Sequence, residues 1–315
     1  MAVGRGQVVA LAVGGAVLVA APPALSSFVL TLLTQAILFS ILAMSLDIIL
    51  GYLGLSSLGH AAYWGIGAYS VGILTTRYGQ GFWVTLVVGV LLAAAVAAVF
   101  GLLALRATSV YFLMITLALG MVVWGLALRW VSLTQGDNGI SSVPRPRLGL
   151  PWTPTDGLSY YYFALAGFLL AWAALALVVR SPFGKTLVGI RESETRMRTL
   201  GYHVWLHKYV GFVIAGAAAG FGGVLWAYYN GIVSPSDLEL ATSVEALLMV
   251  ALGGRGTLVG AVLGAAVIVA LKNLVSVYTH RWLLILGAVY IGTIVYAPEG
   301  IVGTIRQWRA KGEPS

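Results

Sequence analysis

The sequence predicts an all-α fold: a polytopic integral membrane protein forming a single transmembrane domain over residues 1–315, with about 8–10 transmembrane or partial helices. Composition is the first reason. The chain is 60% hydrophobic and 9% charged, with a mean hydropathy of +0.95, where a soluble domain carries roughly 25% charged residues. The second is run length: several apolar runs reach the roughly 20 residues that a helix needs to cross a bilayer, whereas a barrel would show alternating segments of about ten. The third is the 40 glycines, which suit membrane helices whose backbones approach closely.

The elements follow in order. "MAVGRGQVVALAVGGAVLVAAPPALSS" places Arg5 before an apolar run with small residues at its end, like a secretory signal. Pro22 and Pro23 stand directly after the best cleavage point, Ala21, which favours a retained helix over 7–25. Further spans fall near 27–50, 58–76, 82–104, 107–131, 158–179, 208–229, 258–277 and 282–297. The segment 240–252, "LATSVEALLMVAL", reaches only about 20 Å as a helix, so it reads as a partial or re-entrant element ending at "GGRGT".

Two connections read as external loops. Residues 132–158 hold four prolines, and 230–243 carry Ser234-Pro235-Ser236-Asp237, a turn into a helix start. With both termini in the cytoplasm, twelve of the 18 basic residues lie inside. The other six are Arg77, Arg129, Arg145, Arg147, Lys272 and Arg281, as the positive-inside rule requires.

"RSPFGKTLVGIRESETRMRTLGYHVWLHK", residues 180–208, concentrates eight of the chain's 28 charged residues and is expected on the cytoplasmic side. Ser181 and Pro182 form an N-cap and first turn, and Gly201 is a C-terminal stop, with an interruption at Gly189 possible in the helix between them. Glu192 precedes Arg196 by four residues and Glu194 precedes Arg198 by four, the favourable order for pairs worth roughly 0.2–0.5 kcal/mol each. A solvated linker that only fixes topology would need fewer such devices than a rigid helix offered to a cytoplasmic partner.

Several chemistries are excluded or disfavoured. The formal charge of +8 lies between apolar spans, leaving no face for nucleic acid. Zero cysteines remove disulfides, thiolate metal sites and cysteine nucleophiles. His203 and His207 have i,i+4 spacing but no third ligand, so no metal site is expected. "GKT" at 184–186 imitates a phosphate loop, yet Val179 stands where its first glycine belongs, after a membrane helix rather than a strand. No catalytic residue is assigned.

Asp47 and Glu245 are the carboxylates expected inside membrane segments, each close enough to a segment end to snorkel or find a helix-terminal partner. "LGYLGLSSLGHAAYWGIGAYS" and "GGRGTLVGAVLG" are glycine-rich and able to break or pack a helix closely, so together they outline a pathway. Gly216xxxGly220 and Gly260xxxGly264 are close-packing faces. The candidate pathway residues are Ser56, Ser57, His60, Gly65, Thr116, Gly254 and Thr257.

Five blocks carry a resemblance: "SLDIILGYLGLSSLGHAAYWGIGAYS", "ATSVYFLMITLALG", the charged island, "SPSDLELATSVEALLMVALGGRGTLVGAVLGA" and "HRWLLILGAVYIGTIVYAPEGIVG". In this order and spacing, over about residues 28 to 303, the chain resembles the LivM-type permease subunits of bacterial branched-chain amino acid ABC importers. The resemblance implies a multi-pass inner-membrane subunit that pairs with a LivH-like permease, two cytoplasmic ATPases and a periplasmic or lipid-anchored amino-acid-binding protein, surrounded by membrane lipid. ATP and Mg would be used by the ATPases, with no cofactor in this chain. The island then resembles the loop that docks on an ATPase, through Arg191, Glu192, Glu194, Arg196, Arg198 and Gly201, although Glu194 to Gly201 only loosely matches the importer pattern of Glu-Ala-Ala followed by glycine. Related permeases carry urea, other amides or other amino acids. An ion-coupled secondary transporter and a passive channel are the competing classes.

Overall fold

A computed structural model describes residues 20, 22–107, 109–149 and 153–278, together with 284–285, 287–289, 291–292 and 300–303. The expected first and last spans, 7–25 and 282–297, lie wholly or largely outside these residues.

The chain is an all-α polytopic membrane protein. Among the described residues, its α-helices of six residues or more are α1 (Ser27–Asp47, continued by a π-helical turn, Ile48–Tyr52), α2 (His60–Tyr78), α3 (Phe82–Ala104), α4 (Ser109–Arg129) and α5 (Gly157–Arg180). They continue with α6 (Pro182–Glu192), α7 (Glu194–Thr199), α8 (Val204–Asn230), α9 (Leu240–Gly253) and α10 (Leu258–Tyr278). Among the described residues, six helices are long and apolar enough to cross a membrane: α1 with its π turn, α3, α4, α5, α8 and α10. α2 and the 14-residue α9 accompany them, α2 enriched in glycine and tyrosine and largely buried.

Helix α8 is central, lying along α2 and α3 and touching α1. Glycine makes this possible: a methyl group added at Gly223 would stand 1.9 Å from the Trp64 carbonyl oxygen, and ones at Gly216 and Gly220 would stand 2.3 and 2.2 Å from the Cβ atoms of Ala97 and Ala93. Gly260 and Gly264 let α10 close on α9 in the same way. Trp64 stacks on Phe39 of α1 at 5.5 Å and tilts against Trp226 of α8 at 6.0 Å, which fills the space between the three helices.

The island marks one face of the bundle. α5 ends and α8 begins there; Gly101, near the end of α3, lies against Tyr209 and Phe212 in the first turns of α8. On the opposite face the Arg77 side chain donates to the carbonyls of Ser132 and Leu133, and Ile140 pairs with Val233 in an antiparallel bridge. The two expected outer connections are thus joined to each other. The second one also enters the bundle: Val233, Pro235 and Leu238 are buried, and Leu238 lies against Gly65 of α2. Because the chain has already descended before α9 starts, a helix of about 21 Å reaches the island face.

Two expectations about the island are corrected. The helix breaks at Ser193 (φ −162°, ψ 100°) and not at Gly189, where α6 continues. Ser193 leaves the helical region so that its hydroxyl can accept from the Arg196 amide, which caps a second helix. The break separates Glu192 from Arg196, and no ion pair joins them; Glu192 lies instead 4.0 Å from Arg191.

Candidate functional site: a broken membrane segment tied to a charged island

The structure divides the candidate pathway residues between two clusters. In the first, the non-helical link 53–59 enters α2 inside the bundle, where its amides need partners other than water. Hydroxyls supply them. The Leu58 amide donates to Thr116 Oγ1 at 3.2 Å, the Gly59 amide to Ser57 Oγ at 3.3 Å and the Ala61 amide to Ser243 Oγ at 2.9 Å. Ser57, His60 and Thr116 are fully buried. His60 Nδ1 lies 3.4 Å from Ser57 Oγ, while His60 Nε2 and the Tyr63 hydroxyl have no hydrogen-bond partner. Ser56 is half-buried and outside this network. Beside the network runs a narrow crevice lined mainly by apolar side chains, among them Leu58, Leu117, Met121 and Leu238.

Gly254 and Thr257 belong to the second cluster, at the island face. Thr257 Oγ1 donates to the Gly254 carbonyl at 2.8 Å, shaping the turn between α9 and α10. Asp47, fully buried, accepts from the Gly256 amide at 2.7 Å. That is the helix-terminal partner expected of it. Glu245 instead finds an ion pair: both its oxygens accept from Lys272 Nζ, at 2.8 and 3.1 Å. Lys272, counted with the basic residues of the outer side, lies in α10, within the expected span 258–277.

The island residues point in different directions. Arg191 turns inward and donates to the Gly51 carbonyl, so it joins the island to the membrane segments. Glu194 accepts from Arg198 and from Lys208 of α8, both at 2.5 Å. Burial opposes ionisation of Glu194, but its hydrogen bonds and charge contacts with Lys208 and Arg198 outweigh this and hold its carboxyl below the usual carboxylate range. Glu192, Arg196 and Arg198 are exposed. Gly201 (φ +87°) ends α7: its amide donates to the Arg198 carbonyl and that of Tyr202 to the Met197 carbonyl, a Schellman cap. His207 Nδ1 donates to the His203 carbonyl at 2.9 Å, and the ring stacks on Phe183. Among the described residues, no group of three histidines or carboxylates could hold a metal ion.

Sequence reasoning missed Ser243, Leu238 and the Gly256 amide. Ser243 sits in an otherwise apolar run, and its partner, the Ala61 amide, is 182 residues away.

The comparisons with known proteins converge. Residues 28–294 match the family described as branched-chain amino acid transport system / permease component. The high-affinity branched-chain amino acid transport system permease protein LivM of Escherichia coli K12 is 31% identical over 295 residues, covering 87% of this chain and 69% of its own. The Salmonella typhimurium protein of the same name is 30% identical, covering 89% and 72%. The guanosine ABC transporter permease protein NupQ of Bacillus subtilis is 27% identical over 119 residues, covering 35% and 37%. No solved structure gives a significant match. With a bundle of membrane-spanning helices, a polar break inside it and a charged island tied to that break, the chain belongs to the family of permease components of branched-chain amino acid transport systems.

Proposed function

We propose that this chain is a transmembrane subunit of an ATP-driven importer that moves branched-chain amino acids into the cytoplasm by alternating access. Family membership supports the class of protein, and one structural observation carries the mechanism: Arg191 of the polar island is bonded to Gly51 in the broken membrane segment. A force applied to the island from outside the membrane has a direct path into the bundle. The island faces the cytoplasm of a bacterial inner membrane, with both termini on that side. Glu192, Arg196 and Arg198 meet one of two ATPases, which bind and hydrolyse ATP with Mg, since this chain has no phosphate loop. A related permease of the LivH type completes the membrane pathway, and a periplasmic or lipid-anchored binding protein delivers the amino acid at the face formed by 132–149 and 231–239.

The first cluster supports the pathway. A helix that starts within the bundle places backbone polar groups at depth, beside a closed apolar seam lined by Leu58, Leu117, Met121 and Leu238. Ion coupling fits less well, because Glu245 is neutralised by Lys272 and Asp47 is committed to Gly256.

Cargo is tested with the purified complex of both permeases and ATPases, by the ATPase rate on adding receptor loaded with leucine, urea or guanosine. Stimulation by leucine-loaded receptor is expected. Stimulation by urea or guanosine alone would reassign the cargo, and an unstimulated enzyme would remove the importer reading.

A further inference from the structure

The junction at the island face contains more than the island's own bond. After Asp47, α1 widens into a π turn in which the Leu53 amide donates to the Ile48 carbonyl and the Leu55 amide to that of Ile49. The Gly51 carbonyl is left to accept from Arg191. One turn earlier, Asp47 reaches past Gly51 to the Gly256 amide. It can do so only because Gly51 has no side chain: a Cβ there would lie 2.1 Å from Asp47 Oδ1 and 2.2 Å from the Gly256 nitrogen. Gly256 itself has φ +73°, and a Cβ on it would come 3.2 Å from Arg191 Nη1. Besides the Gly256 amide, the Thr257 amide and the positive charge of Arg191 act on the buried Asp47 carboxyl group.

Three stretches far apart in sequence, 47–54, 191 and 254–257, therefore meet with no room for a methyl group and with a buried carboxylate at the centre. Such an interface has discrete arrangements and does not deform continuously. The neighbouring Ser193 break lies outside it, between two separately capped helices.

We propose that Asp47 is a positioning residue for transport: with Gly51 and Arg191 it locks the island to the turn at 254–257, so that island and turn move as one body. Displacement of the island is delivered to the membrane helices at that turn, and the turn carries the end of α9 and the start of α10 with it. This rests on the importer reading given above. A merely structural Asp47 would affect the amount of assembled complex, whereas a positioning Asp47 sets how much uptake each ATP yields.

The chain contains no cysteine, so paired spin labels can be placed on it without background from its own residues, in partner subunits freed of reactive cysteines. The complete complex, in lipid vesicles with its receptor, carries labels at Lys185→Cys and Arg255→Cys across the junction or, separately, at Lys185→Cys and Gln80→Cys from face to face; Lys185 is exposed on the same helix as Arg191 and has no part in the docking contact. On ATP binding the first distance is expected to hold, and the second to change by more than the about 1–2 Å of a helix shift. Asp47→Asn is expected to lower uptake per ATP hydrolysed at least about fivefold, the lower bound for a coupling free energy between sites. Arg191→Lys added to it should lower the ratio little further. A change in the first distance, constancy of both distances, or an unaltered uptake-to-ATP ratio would each overturn the proposal. If Asp47→Asn does not assemble, the label distances in the chain retaining Asp47 decide. Absence of ATP-driven uptake by the unsubstituted complex would defeat the importer reading instead, and shows before any substitution is made.

Discussion

Gly201 and Glu194 show how single residues hold the island in shape. Gly201 has open space around it, so its requirement is conformational: φ +87° is a left-handed position where a side chain costs about 1–2 kcal/mol. Gly201→Ala should speed amide hydrogen exchange in 194–202 about tenfold, as a loss near 1.4 kcal/mol dictates; exchange at the unsubstituted rate would show that the cap is not needed. Glu194 has a lowered pKa in the folded state, so its contribution is present above the ordinary carboxylate pKa and is lost as pH falls through the lowered value. A spin label at Thr199→Cys should keep constant mobility down to about pH 4.5, the ordinary value for a glutamate, and loosen below it. With Glu194→Gln the mobility should be higher and independent of pH over this range. The same geometry makes Glu194→Lys a poor probe of ATPase docking alone, since it sets a third cation beside Arg198 and Lys208; the exposed Arg196 reports docking more cleanly.

At the scale of elements, much was legible in the sequence because bilayer thickness imposes run length. The spans expected at 82–104, 158–179 and 258–277 agree with α3, α5 and α10 within about two residues. The Ser181 cap was legible because capping is local, and its hydroxyl does accept from the Gly184 amide. The Ser193 break was not, since the hydroxyl's choice between solvent and the Arg196 amide leaves no periodic trace. Nor were the pairs Glu245–Lys272, Arg191–Gly51 and Asp47–Gly256, which join residues 27, 140 and 209 positions apart. Helix contact is testable at glycine: Gly223→Val, aimed at the Trp64 carbonyl, should sharply lower the yield of folded protein, while Gly125→Val, with open space around it, should not. Equal yields would contradict the α2–α8 packing. Removing one partner of a buried ion pair costs about 3–5 kcal/mol, and less where, as here, the Lys272 side chain is 36% exposed. Lys272→Met should therefore destabilise the protein, and Glu245→Met added to it should recover stability; a further loss in the double variant would show that each charge acts separately.

For the whole molecule, burial is uneven. α1 and α8 are mostly enclosed within the bundle, whereas α3 and α4 expose Leu91, Val99, Met114 and Val122 to lipid or to a second membrane protein. The enclosed helices contact both the polar break and the island, and the Arg191–Gly51 hydrogen bond joins the two. The central claim is that this chain transports only as part of an ATP-driven assembly. Its most direct measurement is uptake of labelled leucine into sealed vesicles carrying either the chain alone or the complete complex with receptor, with and without ATP on the island side. The account predicts accumulation against a gradient by the complete complex with ATP, and none in the other three cases. Accumulation by the chain alone, driven by no nucleotide, would contradict it.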